Sequence, residues 1–98
     1  MEFQDNLFNL IISNPTQKTQ TRRSRKYCSE GDILKIWNKS KSKTSTIKII
    51  KIYKQYKKNI SNFDALCEGF NSKKEFIELI DNIYPNINQL YVHKFILV

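Results

Sequence analysis

The chain has 98 residues and a mass of 11.7 kDa, which is room for one domain, residues 1–98, and not for a second. Its apolar 40%, with six Phe and five Tyr, is enough for one modest core, while two cysteines (Cys28, Cys67) and one histidine (His93) exclude a dense disulfide framework and a four-ligand zinc site. The net charge of +8 is unevenly spread: Lys18 to Lys58 holds 14 bases and 2 acids, the remainder 3 bases and 7 acids, an asymmetry that suggests a polyanionic partner such as nucleic acid.

The opening Met1-Glu2-Phe3-Gln4-Asp5 is acidic where a secretory leader is basic, and no apolar run approaches the ~20 residues of a membrane span. The expectation is a cytoplasmic protein, not associated with membranes, whose thiols stay reduced. Phe3, Leu7, Leu10 and Ile11 recur at helical spacing as far as Asn14-Pro15, which predicts a helix over about residues 4 to 13. Lys18 to Lys26 has almost nothing apolar and reads as an exposed basic strand or loop. Gly31-Asp32 marks a turn before a short strand, Ile33 to Trp37, and a polar hairpin loop over Asn38 to Ser45.

Thr46 to Tyr56 is β-rich, but Ile47, Ile49 and Tyr53 share one parity and Ile50 and Ile52 the other, so a bulge is expected inside it. Ser61 with Asp64, and Ser72 with Glu75, are spaced as capping boxes and announce two helices. Gly69 suits the end of the first, and the second carries Phe76, Leu79, Ile80 and Ile83 on one face before Pro85. Leu90 to Val98 is apolar on both sides and reads as a strand through the middle of the sheet. Helix, strands, two helices and a final strand predict an α+β domain: a small, mostly antiparallel sheet or barrel with flanking helices.

There is no Gly-rich phosphate loop, no Cys–His pairing at a recognisable spacing and no Gly-x-Ser-x-Gly, so no metal or other cofactor is expected. Trp37, Tyr53 and Tyr56 interleave with Lys35, Lys51, Lys54 and Lys57, a pattern suited to stacking and phosphate contact on single-stranded RNA. At strand spacing, core is the commoner fate of such aromatics. His93 on the last strand likewise reads as a packed histidine before an acid/base. The three arginines, Arg22, Arg23 and Arg25, weigh more than the lysines toward RNA, because a bias to Ile, Lys and Asn is also what an AT-rich coding sequence produces.

Lys18-Thr19-Gln20-Thr21-Arg22-Arg23, Gly31-Asp32, Glu68-Gly69-Phe70-Asn71-Ser72, Tyr84-Pro85 and the closing Tyr91-Val92-x-x-Phe95, in that order, resemble the ASCH family of small PUA-like β-barrel domains associated with RNA. Within it the chain is similar to the short bacterial amidohydrolases that remove the acyl group from N(4)-acetylcytidine. The resemblance covers about residues 16 to 98 and implies a hydrolase acting on a linear amide, with Lys18, Thr21 and Glu68 as the catalytic set. The chain departs from that pattern twice: Pro15-Thr16-Gln17 stands where a glycine is usual, and Arg22 where an apolar residue is usual.

The chemistry is consistent with those residue types. Amide cleavage needs a nucleophile, a base, a proton donor for the leaving amine and an oxyanion holder. A threonine hydroxyl beside a neutral lysine supplies the first two, provided that burial or cationic neighbours lower the lysine pKa. Arg22, Arg23 and Arg25 push it down, and Glu68, if adjacent, pushes it up. Lys18 and Thr21 are three apart, on opposite faces of a regular strand, so the segment has to bend for them to meet. Glu68 before Gly69 is also placed simply to close a helix. The expected partner is a modified cytidine nucleoside or RNA, with the protein as a monomer. The alternatives are a non-catalytic RNA-binding module that uses Arg22, Arg23, Arg25 and the basic surface, and, less favoured with one histidine and no metal site, a ribonuclease.

Overall fold

The computed structural model describes residues 1–98. In chain order the elements are β1 (Glu2–Phe3), α1 (Asp5–Ser13), β2 (Gln20–Arg23), β3 (Ile33–Asn38), β4 (Thr44–Tyr56), a 3-10 turn (Lys57–Asn59), α2 (Asn62–Glu68), α3 (Lys73–Ile83) and β5 (Gln89–Leu97). The first helix falls where the apolar spacing places it, buries Phe8 and Ile11, and ends at Asn14 ahead of Pro15. Both later helices start at the expected serines. Ser61 accepts from the Asp64 amide at 3.0 Å while the Asp64 carboxylate accepts from the Ser61 amide, a complete capping box. Ser72 accepts from the Glu75 amide at 3.2 Å. Gly69 closes α2 at φ 99°, in the left-handed region.

The strands form one five-stranded sheet in the order β1-β3-β4-β5-β2, antiparallel except for the β1–β3 pair. The sheet curls into a half-barrel, so its two edge strands approach each other. Arg23 on β2 donates from Nη2 to the Glu2 carbonyl on β1 at 2.8 Å, and its guanidinium lies 5.3 Å from the Phe3 ring centroid. Side chains, not a backbone ladder, bridge the seam. The phase slip in β4 is a register irregularity between Ile49 and Lys51: Ile47 and Ile49 point into the core before it, and beyond it Lys51 and Tyr53 point outward. β5 is interior, between β4 and β2, while the middle position of the sheet belongs to β4 rather than to the last strand.

Two apolar clusters flank the sheet. Phe8 and Ile11 of α1 pack with Met1, Phe3, Ile36, Ile47, Ile49 and Phe95. Ile60, Ala65, Phe76, Ile80 and Leu90 join α2 and α3 to the other face. Cys28 and Cys67 are both unpaired thiols. No helix is long and apolar enough to cross a membrane.

Three expectations are corrected. The segment from Lys18 to Lys26 is not uniformly exposed: Lys18, Gln20, Thr21 and Arg22 are buried, because Lys18 and Arg22 meet partners on α2 and β4 that local composition does not reveal. Trp37 and Tyr53 are half-buried and Tyr56 is exposed, so none belongs to the core; the isoleucines of alternate parity fill it instead. A two-residue strand, β1, pairs in parallel with β3 and is too short to leave a periodic signal.

Candidate active site

The chain passes from α1 to β2 through a turn that pins Lys18 and Thr19 against the end of α2. The Thr19 amide donates to the Cys67 carbonyl at 3.0 Å, and the Thr19 carbonyl accepts from the Phe95 amide at 3.0 Å. Gly69 makes this approach possible. A Cβ at that position would lie 2.9 Å from Leu10 Cδ2, 3.1 Å from Leu7 Cδ2 and 3.6 Å from Lys18 Cδ. Lys18 therefore enters the interior alongside α1 and the C-terminus of α2, with 1% of its surface exposed.

Inside, Lys18 Nζ donates to the Gln20 carbonyl and to Glu68 Oε1, the latter at 3.2 Å. Arg22 Nη1 donates to the other carboxylate oxygen, Glu68 Oε2, at 2.8 Å and to Gln20 Oε1 at 2.9 Å. Arg22 Nε donates to Gln55 Oε1 at 2.9 Å, and Nη2 lies 3.3 Å from Asp64 Oδ1 but makes no hydrogen bond. One carboxylate is thus clasped by two cations, with a second carboxylate one helical turn earlier on α2. Asp64, Gln20 and Gln55 escaped the sequence analysis, although Asp64 sits four residues before Glu68 and so shares its helix face.

Burial strongly disfavours the charged form of Lys18 and lowers its pKa below the ordinary value, with Glu68 acting in the opposite direction and Arg23 and Arg22 reinforcing the decrease. Burial opposes ionisation of Asp64, but hydrogen bonds from Ser61 and Gln55 and the charge of Arg22 outweigh it and hold the carboxyl below its usual value. His93 is completely buried, its pKa is lowered by burial, and its Nε2 accepts from the Tyr27 amide at 3.0 Å. Nε2 as acceptor assigns the proton to Nδ1 of a neutral ring.

A cavity of ≈ 230 Å³ opens at this cluster. Lys18, Thr21, Arg22, Arg23 and Glu68 line its polar end, and Leu7, Phe70, Phe76, Leu79, Ile83 and Tyr84 are among the residues of its apolar end. Lys18 precedes the first residue of β2, so strand alternation does not govern it, and both it and Thr21 reach the cavity despite their spacing. No hydrogen bond joins Thr21 to Lys18 or Glu68. Arg25 is exposed and outside the cavity. Arg22 is spent on Glu68 and its neighbours rather than displayed to a phosphate backbone, contrary to its expected place on a binding surface. Glu68 both ends α2 and joins the cluster. No group of three or more His, Cys, Asp or Glu side chains is placed to hold a metal ion.

No family model and no curated protein matches the sequence. Solved structures do match its fold. An ASCH domain from Lactobacillus crispatus JV V101 superposes with a TM-score of 0.81 at 15% identity, over 95% of this chain and 70% of that one. A protein from Enterococcus faecalis V583, described under the family model DUF984, gives a TM-score of 0.75 at 17% identity, over 95% of this chain and 67% of that one. An S128A mutant of an ASCH protein from Zymomonas mobilis gives 0.66 at 11% identity, over 97% and 64%. The fold is that of the ASCH domains: a small α+β unit with a curled, mostly antiparallel sheet and flanking helices.

Proposed function

We propose that this chain is an ASCH-family amidohydrolase that removes the acyl group from N(4)-acetylcytidine or a related N(4)-acylated cytidine nucleoside. The observation that carries the reading is a lysine buried in a cavity beside Thr21, its charged form disfavoured, its amine in contact with Glu68. A buried lysine of lowered pKa is the form in which an amine serves as a base near neutral pH. The ASCH fold supports the family, and the ordered motif set supports the substrate class.

Neutral Lys18 takes the Thr21 hydroxyl proton as Oγ1 bonds to the acyl carbon, and the carbonyl π electrons move to oxygen. Arg22 lines the cavity and keeps an N–H at Nη2 that is not spent on a hydrogen bond, and we assign it as the donor to that oxyanion. Collapse breaks the C–N bond, and the proton held by Lys18 and Glu68 passes to the departing N4 amine, releasing cytidine. Water then gives a proton to Lys18 as its oxygen bonds to the acyl carbon, the C–O bond to Thr21 breaks, and Lys18 returns the proton to Thr21 Oγ1, which frees the carboxylic acid and restores the neutral amine. The hydrogen bond from Thr21 to Lys18 that this requires forms when substrate fills the cavity, since catalytic contacts are often loose in an empty site.

The test is acetate formation from N(4)-acetylcytidine as a function of pH. A base that must be unprotonated makes the rate rise with pH until the lowered pKa of Lys18 is passed. Lys18→Arg should lose at least about 10²-fold, since guanidinium does not give up its proton. Activity in Lys18→Arg near the wild-type level removes the base assignment, and tight nucleoside binding with no acetate makes the cavity a binding pocket.

A further inference from the structure

The three interior strands, β3, β4 and β5, contain no Asp or Glu. Their pairing sets Ile33, Lys48 and Ile96 in one row across the sheet, and Lys51 beside Lys94 in another, after the β4 bulge. Lys35 lies on the same face, two residues on from Ile33, and Tyr53 two residues beyond Lys51. The opposite face of this part of the sheet carries Ile36, Ile47, Ile49 and Phe95 and is filled by α1. The outer face is open: Ile33 is 64% exposed, Ile50 50% and Ile96 48%.

None of Lys35, Lys48, Lys51 and Lys94 has a carboxylate within salt-bridge distance. Instead, Lys51 and Lys94 each hold their ammonium 5.6 Å from the Tyr53 ring centroid, so one aromatic is flanked by two otherwise unpaired cations. Trp37, half-buried, lies on the same face at the other end, paired across to Thr44. From Thr44 to Tyr53 the platform runs nine residue steps along β4, one of them taken up by the bulge, roughly 26 Å for the other eight at about 3.3 Å each, long enough for several nucleotides.

We propose that this outer sheet face is a platform for single-stranded nucleic acid, in which Tyr53 and Trp37 stack bases, the exposed isoleucines receive sugar and base edges, and Lys35, Lys48, Lys51 and Lys94 hold phosphates. Charge decides the occupant. A second copy of the chain would set lysine against lysine across a two-fold contact, with no acid on either interior-strand surface to relieve it. A phosphate backbone supplies the missing anions at regular spacing, and aromatics between cations suit bases joined to phosphates. Lys51 and Lys94 are held by cation–π contact, Lys35 and Lys48 by neither cation–π contact nor ion pair, and all four swing to phosphates at little cost. This platform is separate from the cavity, where Lys18 and Arg22 are occupied by Glu68 and Asp64.

The probe is a fluorescein-labelled single-stranded oligouridylate of about 12 nucleotides, long enough to cover the platform and extend past both ends, titrated with the full chain by fluorescence anisotropy at several salt concentrations. Wild type should bind with a steep salt dependence. Lys48→Ala/Lys51→Ala/Lys94→Ala should make the log–log slope shallower by about 2, three phosphates at about 0.7 each. Tyr53→Ala should weaken binding about tenfold, the scale of one lost base–aromatic stack. Lys73→Ala/Lys74→Ala on α3 should leave affinity and slope as in wild type. No binding at low salt, or equal losses from the α3 pair, overturns the proposal. So does a concentration-dependent dimer, seen by sedimentation, that Ile96→Lys disperses, because the face would then belong to a second copy. Acetate release plays no part in these readouts, so their failure and that of the hydrolase reading are distinguishable.

Discussion

Replacing Glu68 by glutamine should destabilise the protein in a way that depends on pH. The side chains of Lys18 and Arg22 are 1% exposed and that of Glu68 6%, so solvent screening does not soften the loss. Stranding a buried charge costs about 3–5 kcal/mol. Arg22 is not stranded, because it keeps Asp64 at 3.3 Å and its bonds to Gln20 and Gln55. Lys18 is stranded, and it can escape by releasing its proton. Its folded-state pKa already lies below the ordinary 10.5, and removing Glu68, which raises it, lowers it further.

Between the folded pKa and the unfolded one, the unfolded chain binds more protons than the native state, so stability rises with pH across that window. The variant's window reaches lower, so its deficit relative to wild type is greatest below its own Lys18 pKa and shrinks as pH climbs to the wild-type one. We expect a deficit of about 3 kcal/mol at a pH below the variant's Lys18 pKa, falling to about 1 kcal/mol at a pH above the wild-type one. Urea unfolding followed by Trp37 fluorescence at both pH values measures it. Lys18→Met placed in the Glu68→Gln background should recover stability at the lower pH, since no charge is then left to strand. A deficit equal at the two pH values, or a double variant no better than Glu68→Gln, refutes the reasoning.

Other substitutions probe the frame around the site. Gly69→Ala should cost at least about 1–2 kcal/mol, the left-handed penalty for a residue with a Cβ, and more from its contact at 2.9 Å with Leu10; the thermal midpoint reads this directly. Phe76→Ala should cost about 3–5 kcal/mol in chemical unfolding, against about 1 kcal/mol for Ser72→Ala, because the first opens a cavity in the α3 cluster and the second loses one cap.

Signals that operate within a few residues were legible in the sequence. The caps at Ser61 and Ser72, the stop at Gly69, the first helix and the β4 bulge each depend on neighbours that the local sequence names. The meeting of Lys18 with Glu68 was implied by the motif resemblance, not by composition. What stayed hidden depends on distant partners. Lys18 and Arg22 look like surface residues until Glu68 and Asp64 are brought to them from 42 to 50 residues away, and Gln55 from 33. Polarity alone cannot tell a solvated arginine from one whose donors are satisfied inside. The outward turn of Tyr53 was hidden for a related reason: it follows from which side of the bulge faces α1.

The account rests on Thr21 as the atom donor for the acyl-enzyme, and one comparison addresses it directly: acetate released from N(4)-acetylcytidine by wild type, Thr21→Ser and Thr21→Val under the same conditions. Thr21→Ser should keep measurable turnover, and Thr21→Val, nearly the same shape without the oxygen, should fall by at least about 10²-fold while still binding nucleoside. A Thr21→Val protein as active as wild type, or a wild type that binds the nucleoside and releases no acetate, contradicts the account.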